Sequence, residues 1–443
     1  MKLTLIKPNI GRMEHSLYVD EGRMEPLQLG VLAALTPPEV EVVLHDDRME
    51  TIPYDEPTDL VAITVETYTA RRAYEISAEF RQRGVPVIMG GMQPTLIPDE
   101  VIPHADSIYV GDAEFEWRQV IDDFQRGQLR PVYRAPVGTP QPGTLTRRDI
   151  FEGKGYLPIT LLQFSRGCRF ACNFCAVSTF FDKTHYCRDV NEVVQEIEAA
   201  GRQLLFFVDD NILSNFEAAK ALFRALIPLN VHWVSQGSID MTQDLELMDL
   251  MVKSGCIGLV VGFESISPQS LRWMKKSPNF IGGFKAYAPQ LEIIRDYGLQ
   301  LWAAFTLGHD YDTRESIEQT LAFATENKFS LAAFNILVPY PGTPLYQKLQ
   351  AEGRLLYDGK WWLHPEYRFN YAAFQPKTMS PEELTDACFH ARARYNSLGS
   401  LVRRTFDRKT NLRSLYKLGV YLRYSPLFRK EVFKKHGMRF GLR

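Results

Sequence analysis

Apolar and polar positions divide the chain into two series of short apolar runs, each followed by a stretch with helical spacing. In the first series Leu3–Ile6, Val40–His45, Leu60–Val65, Val85–Met89 and Ser107–Val110 have strand length and strand residues. Between them Pro26–Leu35, Ala70–Gln82 and Glu114–Gly127 read as helices, with Thr36-Pro37-Pro38 and Gly84 as stops. The alternation resumes with predicted strands Leu157–Phe164, Leu204–Val208, His232–Gln236, Gly258–Phe263, Leu301–Leu307 and Leu331–Leu337. The helices between them are Val190–Ala200, Phe216–Leu226 (capped by Ser214), Leu245–Ser254, Tyr287–Tyr297 and Thr313–Asn327. Strands alternating with helices predict an α/β protein with parallel sheets. Residues 1–135 form a doubly wound, Rossmann-like domain, and 136–156, with Pro136, Pro140 and Pro142, a linker. Residues 157–350 form a partial (β/α)6 barrel, and 351–443 a helical C-terminal region with an aromatic-rich segment and a basic tail.

In such folds ligands lie beyond the C-terminal ends of the strands. In the first domain those loops are Pro8-Asn9, Thr64–Tyr68, Gly90–Thr95 and Gly111–Glu114. Gly90-Gly91 either admits close backbone approach to a ligand or only makes a turn. No G-x-G-x-x-G opens the first helix, so the dinucleotide fingerprint is absent.

In the second domain the first strand runs through Ser165-Arg166-Gly167 into Cys168, Cys172 and Cys175, spaced C-x3-C-x2-C. Three close thiolates make a soft, anionic claw that suits zinc or an iron–sulfur cluster. A closed zinc site wants four ligands, and no second C-x2-C pair exists. Three ligands leave one metal corner open. Other strand ends carry Asp209-Asp210-Asn211, Gln236, Glu264-Ser265 and Gly308-His309. Each also has an ordinary reading: Asp210 as a helix cap or surface acid, Gln236 in solvent, His309 solvated in its loop. Cys187 and Cys256 read as small buried residues, and Cys388 sits in a helical pattern over Pro381–Tyr395.

The cysteine octet, with Phe174 at the aromatic position, resembles the signature of the radical S-adenosylmethionine (SAM) enzymes. The resemblance implies a [4Fe–4S] cluster on Cys168, Cys172 and Cys175, with SAM chelating the fourth iron. It implies SAM contacts from Asp209, Asp210, Gln236, Glu264, Ser265 and Gly308, the G-x-E-S of Gly262–Ser265 matching a family pattern. The domain ahead of the octet resembles the cobalamin-binding domain of the cobalamin-dependent members. The stretches are Pro26–Leu35, Gly90–Thr95 and Tyr109–Glu114, which imply Thr64, Gly90, Gly91 and Gly111 near cobalamin. The chain departs from one cobalamin motif, D-x-H-x-x-G, so no histidine stands in the usual place of a lower cobalt ligand. The whole chain is similar to a group that includes hopanoid methylases and the anaerobic magnesium-protoporphyrin ester cyclase. That resemblance implies methylation of an unactivated carbon of a hydrophobic or tetrapyrrole-like small molecule, through a 5′-deoxyadenosyl radical. A radical cyclisation, oxidation or rearrangement without methyl transfer stays open, as does a binding or sensor protein. No catalytic side chain is read from the sequence. An electron donor such as flavodoxin or ferredoxin is implied as a partner.

Composition and charge narrow the setting. Hydrophobic residues at 45% and charged residues at 23% mark a globular chain, and no apolar run approaches the ~18 residues of a membrane span. The N-terminal Met1–Pro8 is expected to be a first strand and no signal peptide. Three clustered and three scattered cysteines are no disulfide framework, and a reducing cytoplasm is expected. From Leu401 to Arg443 there are 13 Lys or Arg against Asp407 and Glu431, a net of +11, which leaves −13 for the rest of a chain of net charge −2. Basic helices with apolar faces suit an anionic membrane surface, so peripheral contact at the inner face of a membrane is an expectation. A solvated basic face packed on the acidic remainder is the plainer reading, and nucleic acid is not the expected partner. Trp361, Trp362, His364, Tyr367, Phe369, Tyr371 and Phe374 either wall a substrate pocket or cover an open barrel edge.

Overall fold

The computed structural model describes residues 1–11, 22–280 and 287–442; Arg443, counted in the basic tail, lies outside the described residues. The chain forms two compact units: Met1–Leu157 with Tyr357–Phe369 and Gly437–Arg443, and Pro158–Leu356 with Asn370–His436.

The first unit is built on six strands: β1 (Lys2–Lys7), β2 (Glu41–Asp46), β3 (Leu60–Thr64), β4 (Val87–Gly90), β5 (Ser107–Val110) and β6 (Val132–Arg134). All pair in parallel, in the order β2-β1-β3-β4-β5-β6. This is the expected parallel α/β sheet, and β3, buried along its whole length, is its centre. The strand β6 was not predicted, because three residues between Pro131 and Pro136 are too short a run to show a period. The helix expected over Glu114–Gly127 is a 3-10 turn at Ala113–Phe115 followed by a helix at Trp117–Gln125, fixed where Trp117 Nε1 donates to Thr36 Oγ1 at 2.9 Å. Two short helices, Met92–Leu96 and Pro98–Val101, follow β4. Their prolines lie in first turns, where no intrahelical N–H is needed.

The aromatic segment divides: residues 357–369 belong to this first unit, whereas Tyr371 and Phe374 belong to the second, Phe374 in its core. Trp361, Trp362 and Tyr367 are buried. Trp361 meets Tyr68 at 5.2 Å between ring centroids, and Tyr68 also meets Phe369 and Phe440. Trp362 Nε1 donates to Glu100 Oε1 at 2.8 Å. Residues 357–369 are therefore a packing strip of the first sheet's unit.

The second unit contains β7 (Thr160–Leu162), β8 (Ser165–Gly167), β9 (His185–Cys187), β10 (Leu204–Phe207), β11 (His232–Gly237), β12 (Cys256–Glu264), β13 (Gln300–Leu307) and β14 (Leu331–Ile336). Six of them pair in parallel in sequential order, β14-β13-β12-β11-β10-β7. Ser165-Arg166-Gly167 does not simply break the run expected over Leu157–Phe164. It forms β8, paired antiparallel with β9, so the polypeptide enters the cysteine loop from a two-stranded ribbon. Phe263, Phe305 and Phe334 stack across adjacent strands in the core. Cys256 and Cys388 are buried, the latter donating Sγ–H to Phe334 O at 3.0 Å, whereas Cys187 on β9 is only half-buried, 3.7 Å from His185 Nδ1.

Beyond β14 the helices Pro381–Tyr395, Leu398–Thr405 and Leu415–Lys435 complete this unit. The first carries a capping box between Ser380 and Glu383. No helix among the described residues is long and apolar enough to cross a membrane.

Candidate functional site

The loop Cys168–Cys175 leaves β8 and ends at the short helix Ala176–Phe180, with Cys175 in its N-cap position. Neighbouring elements hold it by hydrogen bonds to its backbone. Arg169 N–H donates to Ser214 Oγ at 3.0 Å, and Ser178 Oγ donates to Phe170 O at 2.9 Å. Asn173 is fixed three ways. Its N–H donates to Met274 O (3.0 Å), its side-chain amide to Trp273 O (2.7 Å), and its carbonyl accepts from Leu345 N–H (3.0 Å). Ser214 was expected to cap the following helix. Asn215 does so instead, accepting from Ala218 N–H, which leaves Ser214 to the cysteine loop.

Asp209 and Asp210, at the end of β10, support the base of this loop. Asp209 is fully buried. It accepts from Phe164 N–H at 3.1 Å and from both the N–H and the hydroxyl of Ser165. Burial pushes its carboxyl up to about 7, against those hydrogen bonds. Asp210 Oδ2 accepts from Gly167 N–H at 2.8 Å, one residue before Cys168. Neither acid caps a helix. Asn211, the residue after them, approaches closer: its side-chain amide lies 3.2 Å from Ser238 Oγ and 4.0 Å from Cys168 Sγ. Replacing Asp210 by Ala is expected to cost about 1–2 kcal/mol of local stability by leaving Gly167 N–H without its acceptor. Iron content after reconstitution should fall, while far-UV circular dichroism stays unchanged.

Glu264 ends β12 in the left-handed region, φ +61°, beside a bulge between Gly262 and Glu264. The unusual backbone turns its carboxylate inward. Oε1 accepts from Lys276 Nζ at 3.0 Å and Oε2 from Thr306 Oγ1 at 2.5 Å. A Cβ on Gly262 would stand 2.3 Å from Glu264 Oε1 and 2.8 Å from Lys276 Nζ, so the glycine makes room for the pair. Burial disfavours the Lys276 charge, yet Glu264 and the Cys172 sulfur outweigh it and hold the ammonium's pKa above the usual lysine range. Lys276 thus links the strand-end carboxylate to the cysteine loop. It escaped the sequence reading because Lys275-Lys276 looks like a solvated pair after a helix.

The other predicted positions divide. Ser265 Oγ accepts from Ser267 N–H at 3.0 Å, a turn bond. Gln236 is exposed at the end of β11. Gly308 N–H donates to Asp312 Oδ2 at 2.9 Å. His309 is not solvated: it is fully buried, with Nε2 2.7 Å from Thr306 O and Nδ1 without a partner among the described residues.

The three thiols fit a cluster better than a single ion. They lie within electrostatic reach of one another, and burial raises the Cys172 thiol to about 11 and Cys168 in the same direction. Among the described residues no three His, Cys, Asp or Glu side chains converge on one metal point. Three cysteines on one short loop, with no fourth in the octet, fit an iron–sulfur cluster, in which each sulfur takes its own iron.

In the first unit, Thr64 pairs with Gly90 at the ends of β3 and β4. A Cβ on Gly91 would stand 2.9 Å from Val65 O, and one on Gly111 2.0 Å from Ala135 O. The chain's own backbone therefore accounts for both glycines. Beside them Thr67 Oγ1 and Gln93 Oε1 are buried without partners among the described residues. Orphaned acceptors beyond the ends of β3 and β4 fit a polar ligand there.

An open three-thiolate loop on a sequential parallel sheet defines a class of cluster enzyme, and the comparisons agree. Residues 162–324 match the radical SAM superfamily. It is 29% identical over 400 residues to bacteriochlorophyllide d C-12(1)-methyltransferase of Chlorobaculum tepidum, covering 87% of this chain and 85% of that one. It is 26% identical over 355 residues to hopanoid C-2 methylase of Rhodopseudomonas palustris, covering 76% and 66%. The methyltransferase TsrM of Kitasatospora setae, solved with cobalamin and a [4Fe–4S] cluster bound, superposes with a TM-score of 0.62 at 18% identity, over 79% of this chain and 78% of that one. The protein is a radical SAM enzyme, and its cofactors are a [4Fe–4S] cluster and SAM.

Proposed function

We propose that this protein is a cobalamin-dependent radical SAM C-methyltransferase whose substrate is a hydrophobic or tetrapyrrole-like small molecule. The observation that carries the reading is the place of the C-x3-C-x2-C loop, held through Asn173 on Trp273 and Met274, next to the Glu264–Lys276 pair at the C-terminal strand ends of one sheet. Likeness to bacteriochlorophyllide and hopanoid methylases over most of the chain supports the choice of methyl transfer. In this reading the second unit is a partial (β/α)6 barrel and the first a Rossmann-like cobalamin domain. When bound, the cluster supplies the electron that splits SAM into methionine and a 5′-deoxyadenosyl radical, and cobalamin carries the methyl group.

The chain's own residues bind, orient and shield. Cys168, Cys172 and Cys175 would hold the cluster, and three protein ligands would leave it able to take SAM. Asp209, Asp210 and Asn211 set the loop's path. Lys276 is a fixed positive charge suited to the carboxylate of SAM, and Glu264 holds it in place while offering an acceptor to the SAM amino group. Gln236, Ser265 and Gly308 border the same strand ends. Thr64, Gly90, Gly91 and Gly111, with the acceptors of Thr67 and Gln93, form the matching strand-end site of the first unit for cobalamin. A flavodoxin or ferredoxin supplies the electron.

The test is turnover of cluster-loaded, corrinoid-loaded protein with SAM carrying a deuterated methyl group. A bacteriochlorophyllide and a hopanoid serve as candidate substrates. The reading predicts a product heavier by the labelled methyl, with one deoxyadenosine formed per methyl transferred. Deoxyadenosine formed with an unmethylated, cyclised or oxidised product would overturn methyl transfer.

A further inference from the structure

The helix Leu398–Thr405 inverts the usual amphipathic rule. Its inward side buries an arginine: Arg404 donates to Ser330 O at 2.6 Å and to Tyr395 O at 3.1 Å, with its guanidinium 4.2 Å from the centre of the Tyr395 ring. Asp407, just beyond, is buried against Arg295 at 2.8 Å. These contacts fix the rotation of the helix. Leu398 and Val402 point outward, and Phe406, one step past the helix end, continues the same four-residue row. The three are 67%, 58% and 66% exposed. The next helix, Leu415–Lys435, is tied to this one where Tyr421 Oη donates to Leu401 O at 2.9 Å, and it exposes Leu415 at 89% and Leu422 at 53%, two turns apart. Large apolar side chains held outward by a buried charge are not a by-product of a poorly placed helix, since the inward side is fully engaged.

The charge around this row has one sign. Arg403, Arg408, Arg413, Arg423 and Lys430 are exposed. Lys409 pairs with Asp296 at 2.6 Å. Between Leu398 and Lys430 the one acidic residue is Asp407, which faces inward. An apolar row among exposed cations, with no exposed carboxylate of its own stretch, is complementary to a surface that is both apolar and anionic. A second copy of this face would repel the first at every cation, and a solvated face has no use for the row of Leu398, Val402 and Phe406.

We propose that the outer face of the helices Leu398–Thr405 and Leu415–Lys435 docks on an anionic lipid bilayer. Leu398, Val402, Phe406 and Leu415 enter the interfacial layer, and Arg403, Arg408 and Arg423 meet lipid phosphates. The contact is peripheral and reversible, because the apolar row is short and no helix among the described residues is long and apolar enough to span. It stands apart from the chemistry proposed above and survives if that chemistry is revised.

The test uses the full chain and sedimentation with vesicles of phosphatidylcholine alone or mixed with phosphatidylglycerol. Wild type should partition onto the mixed vesicles at least about tenfold more than onto neutral ones, and 0.5 M salt should remove most of that difference. The variant L398S/V402S/F406S and the separate charge variant R403E/R408E/R423E should each lose about tenfold or more in partitioning. Their circular dichroism and SAM cleavage should match wild type; if the serine variant misfolds, the charge variant decides. Equal binding to neutral and anionic vesicles, or none to either, overturns the proposal. So does wild type that runs as a dimer which the serine variant dissociates, since a second copy would then cover the face. Binding to RNA with no vesicle binding also overturns it.

Discussion

Replacing Cys168, Cys172 or Cys175 singly by alanine is expected to lower iron after anaerobic reconstitution more than about tenfold and to end SAM cleavage. Each thiol is expected to take its own iron, and the octet holds no fourth cysteine to replace a lost one. The fold should survive, because the loop is anchored through backbone and neighbouring side chains: Asn173 to Trp273, Met274 and Leu345, and Arg169 to Ser214. Cys187→Ala serves as the control. Its thiol sits on β9 next to His185, burial raises it to about 11, and it should leave iron content unchanged. Iron analysis and anaerobic absorption spectra of the four variants check this. Loss of iron in Cys187→Ala equal to that in the other three would contradict the assignment.

The second large effect is expected at Lys276. Changing it to Met leaves the buried Glu264 carboxylate, in a left-handed turn, with Thr306 as its remaining donor. Removing one partner of a buried ion pair typically costs 3–5 kcal/mol. The partial exposure of this pair brings the expectation to about 2–3 kcal/mol in urea denaturation of the cluster-free protein. The double change Glu264→Gln with Lys276→Met should recover part of that loss, because no charge is then left unpaired. SAM affinity should fall in both, by about tenfold or more, since a fixed cation for the carboxylate is gone. Lys276→Arg should retain more SAM affinity than Lys276→Met. A Met variant that binds SAM as wild type does would remove Lys276 from the site.

The parts of this protein that depend on local pattern were legible in its sequence. The parallel strands announce themselves as short apolar runs, and a parallel sheet puts its ligands at strand ends, which is why Asp209, Glu264 and Gly308 stand out together with the cysteine octet. What each of those residues does was not legible, because that depends on which neighbour the tertiary fold brings. Asp209 and Asp210 turn toward the backbone of β8 and the loop base, a pairing across more than forty residues. Lys276 becomes part of the site only because the bulge at Gly262 and the positive φ of Glu264 aim the carboxylate at it. The return of Trp361, Trp362 and Tyr367 to the first unit rests on contacts with Tyr68 and Glu100, nearly three hundred residues away, and no periodicity encodes such a pairing. The helix Leu398–Thr405 misleads a reader of hydrophobic patterns outright, since it buries Arg404 and exposes Leu398 and Val402.

The account rests on one claim: the Cys168–Cys175 loop holds a [4Fe–4S] cluster with one iron left open for SAM. Electron paramagnetic resonance of the dithionite-reduced, cluster-loaded protein tests it most directly. Adding SAM should change the signal of the reduced cluster, and the change should be weakened in Lys276→Met. A reduced cluster whose signal is the same with and without saturating SAM, in protein carrying its full complement of iron, would contradict it.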